Sequence, residues 1–231
     1  MVRQDICYKV GGYLIYLVCI NKSQPDSLAP MLAATAAFGK RRVIVLDRSP
    51  EIAPYGWPNV VRSSGGDGWL AGRMRDLGLA YVRANFPDCT GVLFIDGDRI
   101  PQEDLLPYCQ GDAVLFSVVD DPRGEVPGPL SDCTEWCKDR YNSPFMIPAL
   151  YLSMRCINSV LEDGRLFAAC FDGIWGEEDR DLGDRIVAAG FQVRATCAKV
   201  SGTLVDRYAA NGVDARNYRI RQQRYNSRLG V

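Results

Sequence analysis

The sequence predicts an α/β fold: a mostly parallel central sheet flanked by helices. Three observations predict it. Strand-length apolar runs alternate with helical segments through the first hundred residues. The runs are continuous rather than alternating, as expected for strands buried on both faces. Each of the three strongest runs ends in a polar residue, which puts Asn21, Asp47 and the Asp96/Asp98 pair at the carboxyl edge of the sheet, where open α/β sheets bind their ligands.

Taken in order, Tyr13–Ile20 reads as an interior strand that stops at Asn21. Ser27–Phe38 is rich in Ala and Leu and stops at Gly39, a helix with a C-terminal glycine. Arg42–Asp47 is a second buried strand, and Asn59–Val61 a short one after a Pro/Gly-rich stretch. Gly65-Gly66-Asp67-Gly68 leads into a helix from Trp69 to Asn85, which ends before Pro87 and carries Met74, Leu77 and Tyr81 along one face. Gly91–Ile95 is the third strong strand. Pro101 falls where the first turn of a following helix would begin. In the second half, Ala113–Val119, Phe145–Met154 and Phe191–Ala195 read as strands. A helix opens near Trp175, with Leu182, Ile186 and Ala189 on one face, and closes at Gly190. No internal repeat or low-complexity linker divides the chain, so one domain is expected.

Composition narrows the chemistry. With 231 residues, 47% hydrophobic and 24% charged, the chain can bury a sizeable core. A net charge of −1 commits the molecule as a whole to no polyanion. The absence of histidine removes Ser-His-Asp and Cys-His mechanisms, His-ligated zinc and imidazole bases. Nine cysteines without a CxxC pair read as buried free thiols in a reducing cytoplasm; Cys133 and Cys137 lack the second pair a zinc site needs. The apolar run at Tyr13–Ile20 falls far short of the ~20 residues that span a bilayer, and no secretion signal opens the chain. A cytoplasmic protein without a membrane anchor is expected.

Two acidic constellations carry the chemistry that remains. Asp96-Gly97-Asp98 follows a buried strand, and paired carboxylates suit a hard cation bridging the phosphates of a nucleotide. Its structural alternative is an Asp-Gly hairpin turn, but no alternating strand follows. Trp175-Gly176-Glu177-Glu178-Asp179-Arg180-Asp181-Leu182 crowds four carboxylates into five positions. An acidic first turn suits the helix dipole. Crowding beyond that need raises carboxylate pKa values by repulsion, which suits a general base. Asp179 is the expected base, with Glu178 a supporting or acceptor-binding carboxylate. Asp181 has Arg185 one turn on and fits a structural ion pair.

Phe94–Pro101 resembles the DxD segment of GT-A glycosyltransferases in the broad family-2 style. Trp175–Leu182 is similar to the W-G-x-E-D-x-D-L segment of that group and of β-1,4-galactosyltransferases, and lies about 80 residues downstream, as in those enzymes. Gly72–Gly78 is similar to their A-R-N-x-G helix, with Arg75 and Asp76 in the R-N places, and Val43–Ser49 resembles their second strand.

The likeness covers residues 13 to 196 at the level of pattern. It implies one GT-A, Rossmann-like domain: a nucleotide-sugar-binding half (1–112), an acceptor-binding half (113–200) and a basic tail (201–231). It further implies an inverting hexosyltransferase acting on a UDP-sugar donor with Mn²⁺ or Mg²⁺. Asn21, Asp47, Arg75, Asp96 and Trp175 would bind the nucleotide sugar, Asp98 and Asp96 the metal, and Asp179 would serve as base with Glu178 beside it. Cys19-Ile20-Asn21-Lys22 departs from the usual Pro-Thr-Tyr-Asn, and the histidine many relatives add as a metal ligand is missing.

Within the tail, Ala215 to Val231 carries Arg216, Arg219, Arg221, Arg224 and Arg228 with no acid, interleaved with Tyr218 and Tyr225. The foremost reading is a solvated terminal helix. Two others are arginines closing over the donor diphosphate, and a grip on a nucleic-acid backbone. The acceptor is accordingly a glycan or a hydroxymethylated base in phage-type DNA. Two other classes fit the strand-end carboxylates: a nucleotidyltransferase, although Gly65–Gly68 comes late for its phosphate loop, and a non-catalytic nucleotide-sugar-binding module.

Overall fold

The apolar runs become strands where expected, but the sheet they enter is mixed. The computed structural model describes residues 15–21, 25–35, 39–47, 59–63, 71–97, 99–118, 131–132, 134, 149–173, 176–202 and 215–229. Strands β1 (Ile15–Asn21), β2 (Val43–Asp47), β3 (Val60–Arg62) and β4 (Gly91–Asp96) lie parallel in the order β3-β2-β1-β4. The later strands are β5 (Arg99–Pro101), β6 (Ala113–Val118), β7 (Ser131–Asp132), β8 (Ala149–Ser153) and β9 (Val193–Gly202). They extend the same sheet as β4-β8-β6-β9-β5, with β7 also on β9. Here β8 is antiparallel to both β4 and β6, β9 is parallel to β6, and β5 and β7 are antiparallel to β9.

Among the described residues, parallel and antiparallel pairings are thus equal in number, which corrects the expectation of a mostly parallel sheet. The reason is physical. A strand covered on both faces reads as a continuous apolar run whichever way it points, and its direction is set by its connections.

Among the described residues, helices α1 (Pro25–Ala34), α2 (Ala71–Asn85), α3 (Met154–Ser159) and α4 (Glu178–Ala188) pack on the sheet, and α5 (Ala215–Leu229) packs on α4. Alternate residues of each strand feed two core layers. Val18, Ile44, Leu46, Phe94 and Leu150 meet Met74, Leu79 and Val82 of α2, Ile157 of α3, and Leu182 and Ile186 of α4. On the other face Val43, Val45, Leu93, Ile95 and Val114 meet Met31 and Leu32 of α1 and Leu105 and Leu106. Gly78 brings α2 close to the sheet, since a Cβ there would stand 2.5 Å from Val18 Cγ1 and 2.9 Å from Leu46 Cδ1.

Other expectations need correction. Leu77 is exposed and the buried stripe of α2 runs instead through Met74, Arg75, Gly78, Leu79 and Val82. Ala189 lies beyond α4 and is exposed. Arg99–Pro101 is a strand rather than a helical turn. Proline is tolerated there because β5 ends the sheet path, with β9 on its paired side. Cys89, Cys109 and Cys156 are buried free thiols, whereas Cys170 and Cys197 are exposed. Cys7, Cys133 and Cys137 lie outside the described residues.

Candidate functional site

Strand register brings the first polar residues together. Asn21 pairs with Asp47 across β1 and β2, and Ile20 pairs with Asp96 across β1 and β4, so the three carboxyl ends finish level. Asn21 is described through its backbone. Asp47 is buried, and its carbonyl accepts a hydrogen bond from the Ser63 N–H at 3.2 Å. Asp98 and Trp175 lie outside the described residues.

Arg75 reaches this edge from α2. Its Nη2 donates to Asp96 Oδ1 at 2.9 Å, with the arginine side chain buried and the aspartate about one-third exposed. The guanidinium lies over the Phe167 ring, 5.3 Å from its centroid, and Phe167 meets Phe94 edge-on at 6.3 Å. Gly72 lets the helix settle on Phe167, whose Cβ would be 2.8 Å from an added Cβ. Burial works against the charge on Arg75, but Asp96, Glu178 and Asp179 together raise its pKa above the ordinary value. One buried arginine therefore feels carboxylates of both acidic constellations.

Asp76, the next residue, ties α2 to the Arg165–Phe167 segment. It accepts from the N–H groups of Leu166 (2.8 Å) and Phe167 (3.2 Å) and from Arg165 Nε (2.9 Å). Burial raises its pKa despite those bonds. Arg165 also pairs with Asp172 at 2.9 Å. The loop starts at Asp163-Gly164, both at positive φ, with Glu162 and Arg165 exchanging two backbone hydrogen bonds at 2.9 Å. That is a two-residue turn with the type I′ signature. The Asp163-Gly164 dipeptide signals the turn in the sequence, but nothing local places it beside Asp76.

The acidic segment is built differently from its expected repulsive form. Gly176 (φ 97°) and Glu177 (φ 73°) both take the left-handed region, and Glu177 caps α4. A non-glycine residue there costs on the order of 1–2 kcal/mol. The Glu177 side chain is buried against Arg180 at 2.9 Å and Arg221 at 3.2 Å. Arg221, itself buried, also grips Asp184 through Nε (3.0 Å) and Nη2 (3.1 Å). Asp181 is fully buried and receives Arg185 Nε (3.0 Å), Arg224 Nε (2.8 Å) and Arg228 Nη2 (2.9 Å). Arg224 reaches Glu162 as well, joining α5 to the hairpin.

Crowding does not leave these carboxyls uncompensated. Burial pushes Asp181 up, but Arg224, Arg185 and Arg228 outweigh it and hold it below the usual carboxylate range. Asp184 stays raised by burial although Arg221 pulls it down.

The tail is therefore not a solvated helix. Arg221, Arg224 and Arg228 recur at positions three and four apart along α5 and are spent on α4 and its neighbours; Arg219 is exposed. Local pattern could not reveal this, because Arg221 meets partners 37 and 44 residues away.

Glu178 and Asp179 occupy the first turn of α4, Glu178 buried and Asp179 half-buried. Asp179 Oδ1 accepts from the Arg180 N–H at 3.0 Å. Among the described residues, no group of three or more Cys, Asp or Glu side chains forms a cage for a metal ion. Among the described residues, Asp96 offers a partly exposed carboxylate at the strand ends, which fits a cation that takes few protein ligands and completes its shell from phosphates and water.

No protein-family model and no curated protein sequence matches the chain. Solved structures do. Residues 1–349 of TarS from S. aureus superpose with a TM-score of 0.61 at 12% identity, over 93% of this chain and 65% of that one. The chain thus spans just under two thirds of the TarS fragment. The catalytic domain of Drosophila β1,4-galactosyltransferase 7, in complex with xylobiose, gives 0.55 at 14% identity, over 91% of this chain and 79% of that domain. The fold is GT-A-like. No helix among the described residues is long and apolar enough to cross a membrane.

Proposed function

We propose that the protein is a glycosyltransferase that moves a sugar from a nucleotide-diphosphate sugar, a UDP-sugar in the leading reading, to an acceptor hydroxyl with inversion. The observation that carries this reading is Arg75: paired with Asp96 at the strand ends, it is also charged against Glu178 and Asp179 on α4. That arrangement, on a GT-A-like fold, joins a donor-binding edge to a candidate base.

In this reading Asn21, Asp47 and Trp175 contact the nucleotide. Arg75 holds one oxygen of Asp96, and Asp96 contacts the ribose. Asp98, with Asp96 second, would hold Mn²⁺ or Mg²⁺, which stabilises charge on the departing diphosphate. Glu178 orients the acceptor. Asp179 takes the acceptor's hydroxyl proton as the oxygen bonds to the anomeric carbon and the bond from that carbon to the diphosphate breaks.

A glycan acceptor is favoured over hydroxymethylated DNA, because Arg221, Arg224 and Arg228 are already paired with carboxylates. A panel of UDP- and GDP-sugars with Mn²⁺ tests the reading: one donor is expected to raise the thermal midpoint and be hydrolysed slowly. No shift and no hydrolysis with any donor would overturn it. Retention on heparin at low salt that disappears with residues 215–231 would restore the nucleic-acid acceptor.

A further inference from the structure

The C-terminal helix contributes a fully buried cation that lies outside the chemistry proposed above. Arg221 spans two points of α4: the capping Glu177 through Nη1 at 3.2 Å, and Asp184 through Nε and Nη2 at 3.0 and 3.1 Å. Glu177 is the hinge of that helix. Its left-handed backbone turns the chain into α4, and its carbonyl accepts the first helical hydrogen bond, from the Asp181 N–H at 2.9 Å. The next two residues are Glu178 and Asp179. Whatever fixes Glu177 fixes the direction in which those carboxylates leave the helix.

We propose that Arg221 is a positioning residue. By clamping the Glu177 side chain to Asp184 it holds Glu177 left-handed, and so sets Asp179 at its working distance from the donor edge without touching substrate. The inference rests on the transferase reading for its kinetic consequence, though not for its structural one. Arg180 shares Glu177 at 2.9 Å from within the helix, but it starts from the same turn and cannot anchor that turn to the body of the protein. Arg221 starts from α5, which Arg224 and Arg228 tie independently to Asp181 and Glu162. A guanidinium fork matches this two-carboxylate span; a lysine ammonium keeps the charge but not the reach in two directions.

The test uses the full chain with whichever donor the wild type hydrolyses. Arg221→Lys is expected to stay folded yet lose about 10–100-fold in kcat, the scale of a small misplacement of a catalytic group, while donor KM and the donor-induced thermal shift change less than about twofold. Arg221→Met should lose at least as much. Adding Glu177→Gly to Arg221→Met should recover part of kcat, because glycine takes the left-handed backbone unheld. Hydrogen exchange at the Asp181 amide should speed up in Arg221→Lys whether or not turnover is measurable.

Unchanged kcat in both Arg221 variants of an active enzyme overturns the proposal. So does a parallel loss of kcat and donor binding, which marks general unfolding, or unchanged exchange at Asp181. Absence of turnover in the wild type counts against the transferase reading alone, and the exchange result then decides this one.

Discussion

Two clusters of paired carboxylates and arginines, one at the strand ends and one on α4, are built to different rules. At the strand ends, Asp96 has one arginine and keeps about a third of its side chain exposed. On α4, Glu177, Asp181 and Asp184 are buried and share Arg180, Arg185, Arg221, Arg224 and Arg228. The first arrangement leaves a carboxylate edge available; the second uses charge up internally. Between them stand Glu178 and Asp179, which belong to the acidic helix by sequence but to Arg75 by electrostatics. An acidic run is thus not one functional unit. The residues that face α5 secure the helix, and those whose charge reaches Arg75 are the ones the proposed function assigns to chemistry.

The comparison breaks most visibly at Asp181. Asp181→Asn leaves three arginines converging on a neutral side chain, and removing one partner of a buried ionic network costs about 3–5 kcal/mol. The thermal midpoint should fall by many degrees; a fall of only a degree or two would mean that α5 does not secure α4. Asp96→Asn should have a smaller effect on stability, on the order of 1–3 kcal/mol for a weakened charge-assisted bond to Arg75. Its main consequence should be loss of the donor-induced thermal shift, and a shift equal to that of the wild type would remove Asp96 from donor binding.

Smallest of all is the pH-dependent contribution of Glu162, which is partly exposed. Arg224 holds its carboxyl below the ordinary value, so the stabilisation is present above the ordinary carboxylate range and fades as pH falls through the lowered value. Glu162→Gln should therefore lower the thermal midpoint modestly at neutral pH, with the difference from wild type shrinking on acidification. A difference that grows toward low pH would contradict the pairing.

Much of this was legible beforehand, and for definable reasons. Strands β1, β2 and β4 and the level finish of Asn21, Asp47 and Asp96 follow from apolar runs closed by polar residues. Arg75 as a candidate came from the GT-A resemblance, and Glu178 and Asp179 from the crowding of carboxylates in their segment. The antiparallel entry of β8 between β4 and β6 was not, because burial on both faces hides strand direction. The clasp by α5 was equally hidden: an arginine row without local acids looks solvated until the chain returns it to carboxylates tens of residues away. Glu177 gave one faint sign, a glycine just before it in a segment that must turn sharply into a helix.

The central claim is that α4 divides into a securing side and a chemical side, and Asp179→Asn tests it most directly when donor hydrolysis and thermal midpoint are measured on the same preparation. The account predicts a loss of about 10²–10⁴-fold in turnover, as for removal of a general base, with the midpoint shifted by no more than a few degrees. Turnover within a few-fold of wild type, or a collapse in stability matching that of Asp181→Asn, would contradict it.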